Sequence, residues 1–476
     1  MEPDDLMKDE ASCTLARLLM PYGLNLDQNK SQTRLGHVLK TEGFEALEIV
    51  AYREREKELY YHAGRPLSRW LKHPPVYHAL LPHWTFRGDR LKPIWVNKNG
   101  RSCLAFYEVN GTRTLLVGLN IEEEIVRHRQ GDPTQADKAV YKGGLGLDYE
   151  RPDYLFADQL LAKFYSIPWA DRLGFALAES YSRIAGYPLI EPLPNGARGL
   201  VILTGDDDQA PLECYIAQLR LVGNVPITYF LHPLTHHTSE TIKNFPPNVE
   251  FGVHPDALDQ PGAYSQLCAD QVAQIRLLTG KSIRAVRNHG FLNSGYLGHL
   301  PAWEKLGLKF DVNYPGVDGK AVNGSFLPMR VRRPDGTWSD HYSLLTMFGD
   351  GMLYALKMTP RQAVRRIRNL AQQIENEAPG VMVLNLHPTN VLDTQLLHDA
   401  VLNICRRPGW MAMGMESYLD WLEGLEQIRF KSTGPGRFSL SGPTSMNGLV
   451  LRFPVTNGWY RQPVSLKAGS VKVAAP

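Results

Sequence analysis

The feature that most narrows what this 476-residue chain can fold into is an alternation that begins after Pro192, Pro194 and Gly196. From there, short apolar segments alternate with amphipathic ones. Strands are predicted at 199–204 (GLVILT), 226–231, 249–253, 283–287, 308–313, 343–347 and 381–386 (VMVLNL), with 410–415 a further candidate. Helices are predicted between them, at about 209–222, 238–244, 262–279, 301–306, 360–377 and 394–405. Such alternation argues for parallel strands with helices outside, and seven or eight units favour a closed or nearly closed barrel. The expected fold is α/β: a deformed (β/α) barrel of about seven parallel strands over residues 196–425.

The flanks read differently. Residues 1–35 are expected to be a helical N-terminal extension and 36–145 an accessory α/β domain. In the latter, CLAFYEV, Asn110-Gly111 and TRTLLVGL predict a hairpin, because Asn-Gly tolerates the positive φ of a type I′ turn. Leu47–Tyr52 and Pro93–Val96 are further strand candidates. The glycines at 143, 144 and 146 lack the Lys-Ser/Thr pair of a phosphate loop, so they read as a linker. Residues 146–195 form a helical connector and 426–476 a small β-rich appendage.

Composition excludes several classes. The chain is 43% hydrophobic and 21% charged, and its net charge of +3 is too small and scattered for a polyanion footprint, so nucleic acid is not an expected partner. The basic run Arg361, Arg365, Arg366 and Arg368 follows Thr359-Pro360, an N-cap and first helical residue, and is expected to be a solvated helix face. Five cysteines with no CxxC spacing suggest neither a disulfide framework nor a cysteine metal site. Met1 is followed by acidic residues rather than a basic and apolar leader, and no apolar run is long enough to span a bilayer. A cytoplasmic protein is expected.

Chemistry concentrates where predicted strands end, which is where active sites of such barrels sit. The first strand stops at Thr204-Gly205-Asp206-Asp207-Asp208. Adjacent carboxylates repel one another, and a divalent cation would compensate them; an exposed acidic turn, with Asp208 capping the next helix, is the plainer alternative. His254 follows the third strand, Arg287-Asn288-His289 ends the fourth, and Asn385-Leu386-His387 ends the seventh. His236-His237, just before a helix predicted at Thr238, is assigned to a surface loop. Asp350, in Phe348-Gly349-Asp350-Gly351, reads as a turn aspartate.

In order and approximate spacing, Thr204–Asp208, His254, Arg287–His289, Asp311 and His387 resemble the motifs of polysaccharide deacetylases, the nodulation-deacetylase homology group, and above all divergent members associated with bacterial surface glycans. The resemblance covers roughly 195–425. It implies Asp206 as general base, Asp207 as metal-ligating carboxylate and His254 as first metal histidine. It further implies Arg287 as the group orienting the base, Asp311 as the fourth-motif aspartate and His387 as general acid. Two positions depart from the pattern. Leu258 stands where a second metal histidine is usual, so a third ligand must come from His289 or, alternatively, Asp256. Asp208 replaces the usual glycine.

The expected reaction is removal of an acetyl group, N-acetyl before O-acetyl, from a carbohydrate, with a zinc-like ion supplying acidic water and Asp206 and His387 moving protons. Two other classes are weighed against it. A magnesium sugar phosphohydrolase would suit the aspartates but leaves three histidines without roles. A non-catalytic glycan-binding protein is supported by Leu258.

Overall fold

The computed structural model describes residues 50–54, 58–61, 76–109, 112–131, 140–141, 151–152, 166–292, 297–315, 324–456, 458–467 and 469–475. The chain divides into two compact units, one of residues 130–168 and 197–423, the other of 1–129, 169–196 and 424–476.

The unit containing 197–423 is α/β with a central sheet that is parallel except at one edge. Its strands are β1 (Gly199–Asp206), β2 (Ile227–Leu231), β3 (Val249–Val253), β4 (Ala285–Val286), β5 (Phe310–Pro315), β6 (Met329–Arg332), β7 (Trp338–Thr346), β8 (Phe348–Gly349), β9 (Gly380–Asn385) and β10 (Trp410–Ala412). Neighbours β1 to β5 pair in sequence order, and β9 pairs with β1 on the other side. One stretch links the two ends of this path. Residues 338–346 pair with β5, and two residues later 348–349 pair with β9. The antiparallel pair of β6 and β7 was not foreseen in the sequence, where only 343–347 reads as strand.

Helices α1 (Leu212–Val222), α2 (Ser239–Lys243), α3 (Tyr264–Thr279), α4 (Leu300–Lys305), α5 (Gly351–Ala355), α6 (Pro360–Asn376) and α7 (Gln395–Cys405) separate the strands. The start of α6 shows why sequence signals work locally. Thr359 caps it in a box with Gln362, and Pro360 fills the first helical position, where no N–H is needed. Ala363, Ile367, Leu370, Ala371 and Ile374 form its buried stripe, leaving Arg361, Arg365 and Arg368 exposed and Arg366 half-buried.

Register is what gathers the polar residues. Pairs Thr204 with Asn385, Asp206 with Phe230, Leu231 with Val253, and Val253 with Val286 put the last residues of β1, β2, β3, β4 and β9 level. The next residue or two of each strand end therefore emerge together: Asp208, His232, His254, Arg287 and His387. Gly205 allows the closest approach, since a Cβ there would lie 2.8 Å from the Leu386 carbonyl oxygen.

In the other unit, seven antiparallel strands between Val50 and Val117 form one sheet. Among them Ser102–Val109 and Thr112–Val117 make the predicted hairpin, while Asn110 and Gly111 themselves lie outside the described residues. Leu189–Ile190 pairs with Met446–Val455, which pairs with Gly458–Leu466; Arg429–Gly434, Arg437–Gly442 and Gly469–Ala474 form a further sheet. The glycines at 143–146 fall outside the described residues. No described helix is long and apolar enough to cross a membrane.

Candidate active site

Asp206, the last residue of β1, is nearly fully buried and held on both oxygens. Its Oδ1 accepts from Arg287 Nε at 2.8 Å and from Arg287 Nη2, and its Oδ2 accepts from Asn385 Nδ2 at 2.8 Å. Arg287 is itself fully buried, which is costly for a cation unless each donor is used. Its remaining bonds go to Thr204 Oγ1 at 3.0 Å, Thr346 Oγ1 at 3.5 Å and Asn385 Oδ1 at 2.7 Å, and its guanidinium lies over Phe230. Burial would raise the Asp206 pKa, but Arg287, His254 and His387 outweigh it and hold the carboxyl below its ordinary value.

Asp207 does not join this group. Side chains alternate along a strand, so the residue after Asp206 faces the other way. Its Oδ1 accepts from Tyr215 Oη on α1 and its Oδ2 from the His232 backbone N–H at 3.1 Å. The carboxylate that returns to the face of Asp206 is Asp208. Asp208 has φ of 41°, in the left-handed region that glycine enters freely and aspartate tolerates better than most residues.

Asp208 Oδ1 lies 3.3 Å from His254 Nε2 and 3.8 Å from His289 Nε2. The His254 ring is oriented from behind, with Nδ1 2.7 Å from the Arg287 carbonyl oxygen. Nδ1 therefore carries a proton, and in the neutral ring Nε2 keeps its lone pair. Asp208, His254 and His289 can each offer a ligand atom, all within 4.8 Å of one another. Asp208 Oδ1 and His254 Nε2 are also buried with no hydrogen-bond partner, a costly condition that a cation would relieve. Burial would raise the Asp208 pKa, but His254, His387 and His289 hold it well below its ordinary value.

His232, Asp256 and His289 form an adjoining cluster with ligand atoms equally close. His232 has no counterpart in the sequence reading. Leu258 offers no ligand atom to either cluster; it packs against the core and gives its N–H to Asp256 Oδ1 at 3.2 Å.

His387 sits opposite. Its Nδ1 meets Asp350 Oδ1, and its Nε2 lies 3.6 Å from Asp206 Oδ2 and 3.4 Å from Asp208 Oδ2. Asp350 also accepts from the His387 backbone N–H and from Asn390 Nδ2. Burial opposes the imidazolium, yet Asp350 first, then Asp206 and Asp208, push the His387 pKa up to about 10. Asp350 is thus no mere turn residue, and Asp311 is not the partner of His387. Both Asp311 oxygens are engaged elsewhere, with His341 Nε2 at 2.8 Å and the Asn313 N–H at 3.0 Å.

The surface-loop assignment holds for His236, which is exposed, but not for His237. That ring is buried edge-on against Tyr215 and Phe245, immediately before the capped start of α2.

The residues missed in the sequence left faint signals. Asn385 ends β9 and stands two before His387, whose backbone is still extended, so both fall on one face. The same parity groups Thr204 with Asp206 and sets Asp207 apart. Nothing local marks Asp350, whose partner is 37 residues away.

No family model matches the sequence, and no curated protein is similar to it. Solved structures similar to this chain include one from Mycobacterium smegmatis described as a polysaccharide deacetylase, with 18% identity and a TM-score of 0.39, covering 51% of this chain and 96% of that one. The polysaccharide deacetylase Bc1974 from Bacillus cereus has 18% identity and a TM-score of 0.26, over 46% of this chain and 93% of its own. The chitin deacetylase from the fungal pathogen Colletotrichum lindemuthianum has 14% identity and a TM-score of 0.31, over 47% and 87%. The chain is thus similar, over about half its length and at low identity, to structures described as polysaccharide deacetylases.

Proposed function

We propose that the chain is a metal-dependent hydrolase that removes acetyl groups, N-acetyl before O-acetyl, from a carbohydrate, and that it works from a deformed (β/α) barrel. One juxtaposition supports this most. Asp208, His254 and His289 converge, two of them with unpartnered ligand atoms, between two separately braced proton-transfer groups, Asp206 and His387.

The donor set is one carboxylate and two imidazoles, which suits a zinc-like ion, whereas magnesium prefers oxygen alone. When bound, such an ion supplies Lewis acidity, polarising a carbonyl and acidifying water near neutral pH. The rest falls to the protein. Arg287 and Asn385 keep Asp206 ionised and aimed, so it accepts the proton of the attacking water. Asp350 holds His387 by Nδ1 and stabilises its cation, so Nε2 delivers a proton to the departing nitrogen, which leaves as an amine while the acetyl carbon leaves as acetate. Carbohydrate as the acyl carrier rests on the order of the motifs.

The test is acetate release from acetylated amino-sugar oligomers by the purified chain, with zinc or cobalt and with chelator. Release should require the metal and fall on the order of 10²–10⁴-fold in Asp206→Asn, with metal content unchanged. Phosphate release from sugar phosphates with magnesium, or tight glycan binding without any acetate release, would replace this reading.

A further inference from the structure

The ring of His289 is backed by residues that the proposed reaction does not use. Asp256 is fixed by its own backbone: its N–H donates to Gln271 Oε1 and its carbonyl accepts from Gln271 Nε2, both at 2.8 Å. With Oδ1 taken by the Leu258 N–H, its Oδ2 lies 3.3 Å from His289 Nδ1 and 3.2 Å from His232 Nε2. His289 is tied to the same turn, its N–H donating to the Pro255 carbonyl at 2.8 Å.

We infer that Asp256 and His232 are positioning residues, a carboxylate–imidazole relay that sets the tautomer and aim of His289 toward a divalent cation, and that they do not form a second cation site. The inference rests on Asp208, His254 and His289 being ligands. His232 Nδ1 accepts the Leu234 N–H at 3.1 Å, so its lone pair is there and the ring proton is on Nε2. A nitrogen bearing its proton cannot ligate a metal; it donates instead, to Asp256 Oδ2. The same oxygen, 3.3 Å from His289 Nδ1 without a formed hydrogen bond, favours the ring proton there electrostatically. His289 Nε2 is left bare on the side of Asp208, as the outer hydrogen bond of a metal-binding histidine ordinarily arranges. Where Leu258 stands in place of the motif histidine, the second imidazole comes from the neighbouring strand end, and Asp256 beside it steers that ring.

The full chain, freed of metal, is titrated with cobalt(II) chloride, followed by visible absorption and by zinc competition. Wild type should bind one equivalent. Asp256→Asn and His232→Ala should still saturate at one equivalent but bind about 10–100-fold more weakly with altered spectra. Their double variant should be little worse than Asp256→Asn, because His232 acts through Asp256. His232→Gln, which keeps an N–H donor, should recover most of the affinity, and this His232 pair decides the matter if Asp256→Asn does not fold. Two equivalents in wild type, with one lost in His232→Ala, would establish a second cation site and overturn the relay, as would wild-type affinity and spectrum in Asp256→Asn. Normal cobalt binding without acetate release would sink the proposed reaction and leave the relay standing.

Discussion

Two aspartate–histidine pairs lie on the same sheet and share the same chemistry, yet only one can do work on a substrate. Asp311 and His341 meet at 2.8 Å with neither exposed; the other ring nitrogen, Nδ1, faces the Leu308 carbonyl oxygen at 3.0 Å, and the ring stacks on Trp303. Every polar atom of that imidazole is spent inside the protein. Asp350 and His387 make the matching contact through Nδ1, which leaves Nε2 toward Asp206 and Asp208, with 17% of the side chain exposed. An aspartate behind a histidine therefore says little about catalysis. What matters is whether the second nitrogen has been left for something else.

The sharpest way to break the comparison is to remove each imidazole. His387→Ala should cut turnover on the order of 10²–10⁴-fold while metal content stays near wild type, and it should lower the melting temperature less than His341→Ala does, because the buried Asp350 carboxylate that it unpairs keeps the residue-387 N–H and Asn390 Nδ2 as donors. Metal analysis, steady-state rates and thermal melts on one preparation check this. Loss of the metal would mean that His387 is a ligand.

His341→Ala should do the reverse. It strands the buried Asp311 carboxylate, and unpairing one partner of a buried pair costs about 3–5 kcal/mol. Denaturant unfolding should show that loss, while acetate release below the melting range stays within a few-fold of wild type. A rate loss as large as that of His387→Ala in a still-folded protein would put the inner pair into the reaction and erase the distinction.

A pH titration of stability sharpens the comparison further. His299 lines a small cavity with Asp311 and His341, its ring lies against Tyr264 at an interplanar tilt of 33°, and its Nε2 is buried without a hydrogen-bond partner. Burial lowers its pKa from 6.5 to about 4. A depressed folded-state value means the neutral ring is preferred on folding, so this contribution is present above pH 6.5 and is lost as pH falls toward 4. The loss amounts to about 3 kcal/mol. Chemical denaturation of wild type and His299→Phe between pH 7 and 4 should show a smaller decline in the variant, and identical slopes would refute the assignment.

The smallest effect is expected one residue from the reaction. Asp207→Asn should retain metal and most activity but lose about 1–3 kcal/mol, since it weakens the acceptor that holds Tyr215 and the His232 N–H. A variant unable to bind cobalt would return the ligand role to Asp207.

Much of this architecture was legible before any coordinates. Parallel strands and helices could be placed because apolar runs such as 199–204 and 381–386 and the capping sequence Thr359-Pro360 act locally, through burial and backbone hydrogen bonding over a few residues. Asp206, His254, Arg287 and His387 could be singled out because a polar residue directly after a buried strand has few places to go. The hairpin of β6 and β7 was less legible, since its pairing depends on a neighbour across the sheet.

The sequence by itself thus determined which segments become strands and that acids, an arginine and imidazoles arrive together at their ends. Only the tertiary structure decided who pairs with whom. Asp208 rather than Asp207 faces the histidines because Asp207, directly after β1, turns toward α1, and the left-handed turn at Asp208 brings the next carboxylate back. Asp350, not Asp311, backs His387 because residues 348–349 leave the edge of β5 and pair with β9, carrying Asp350 to the strand end from which His387 emerges. Backbone propensity and hydrophobic period are written in neighbouring residues, whereas side-chain partnership is set by register between strands far apart in the chain.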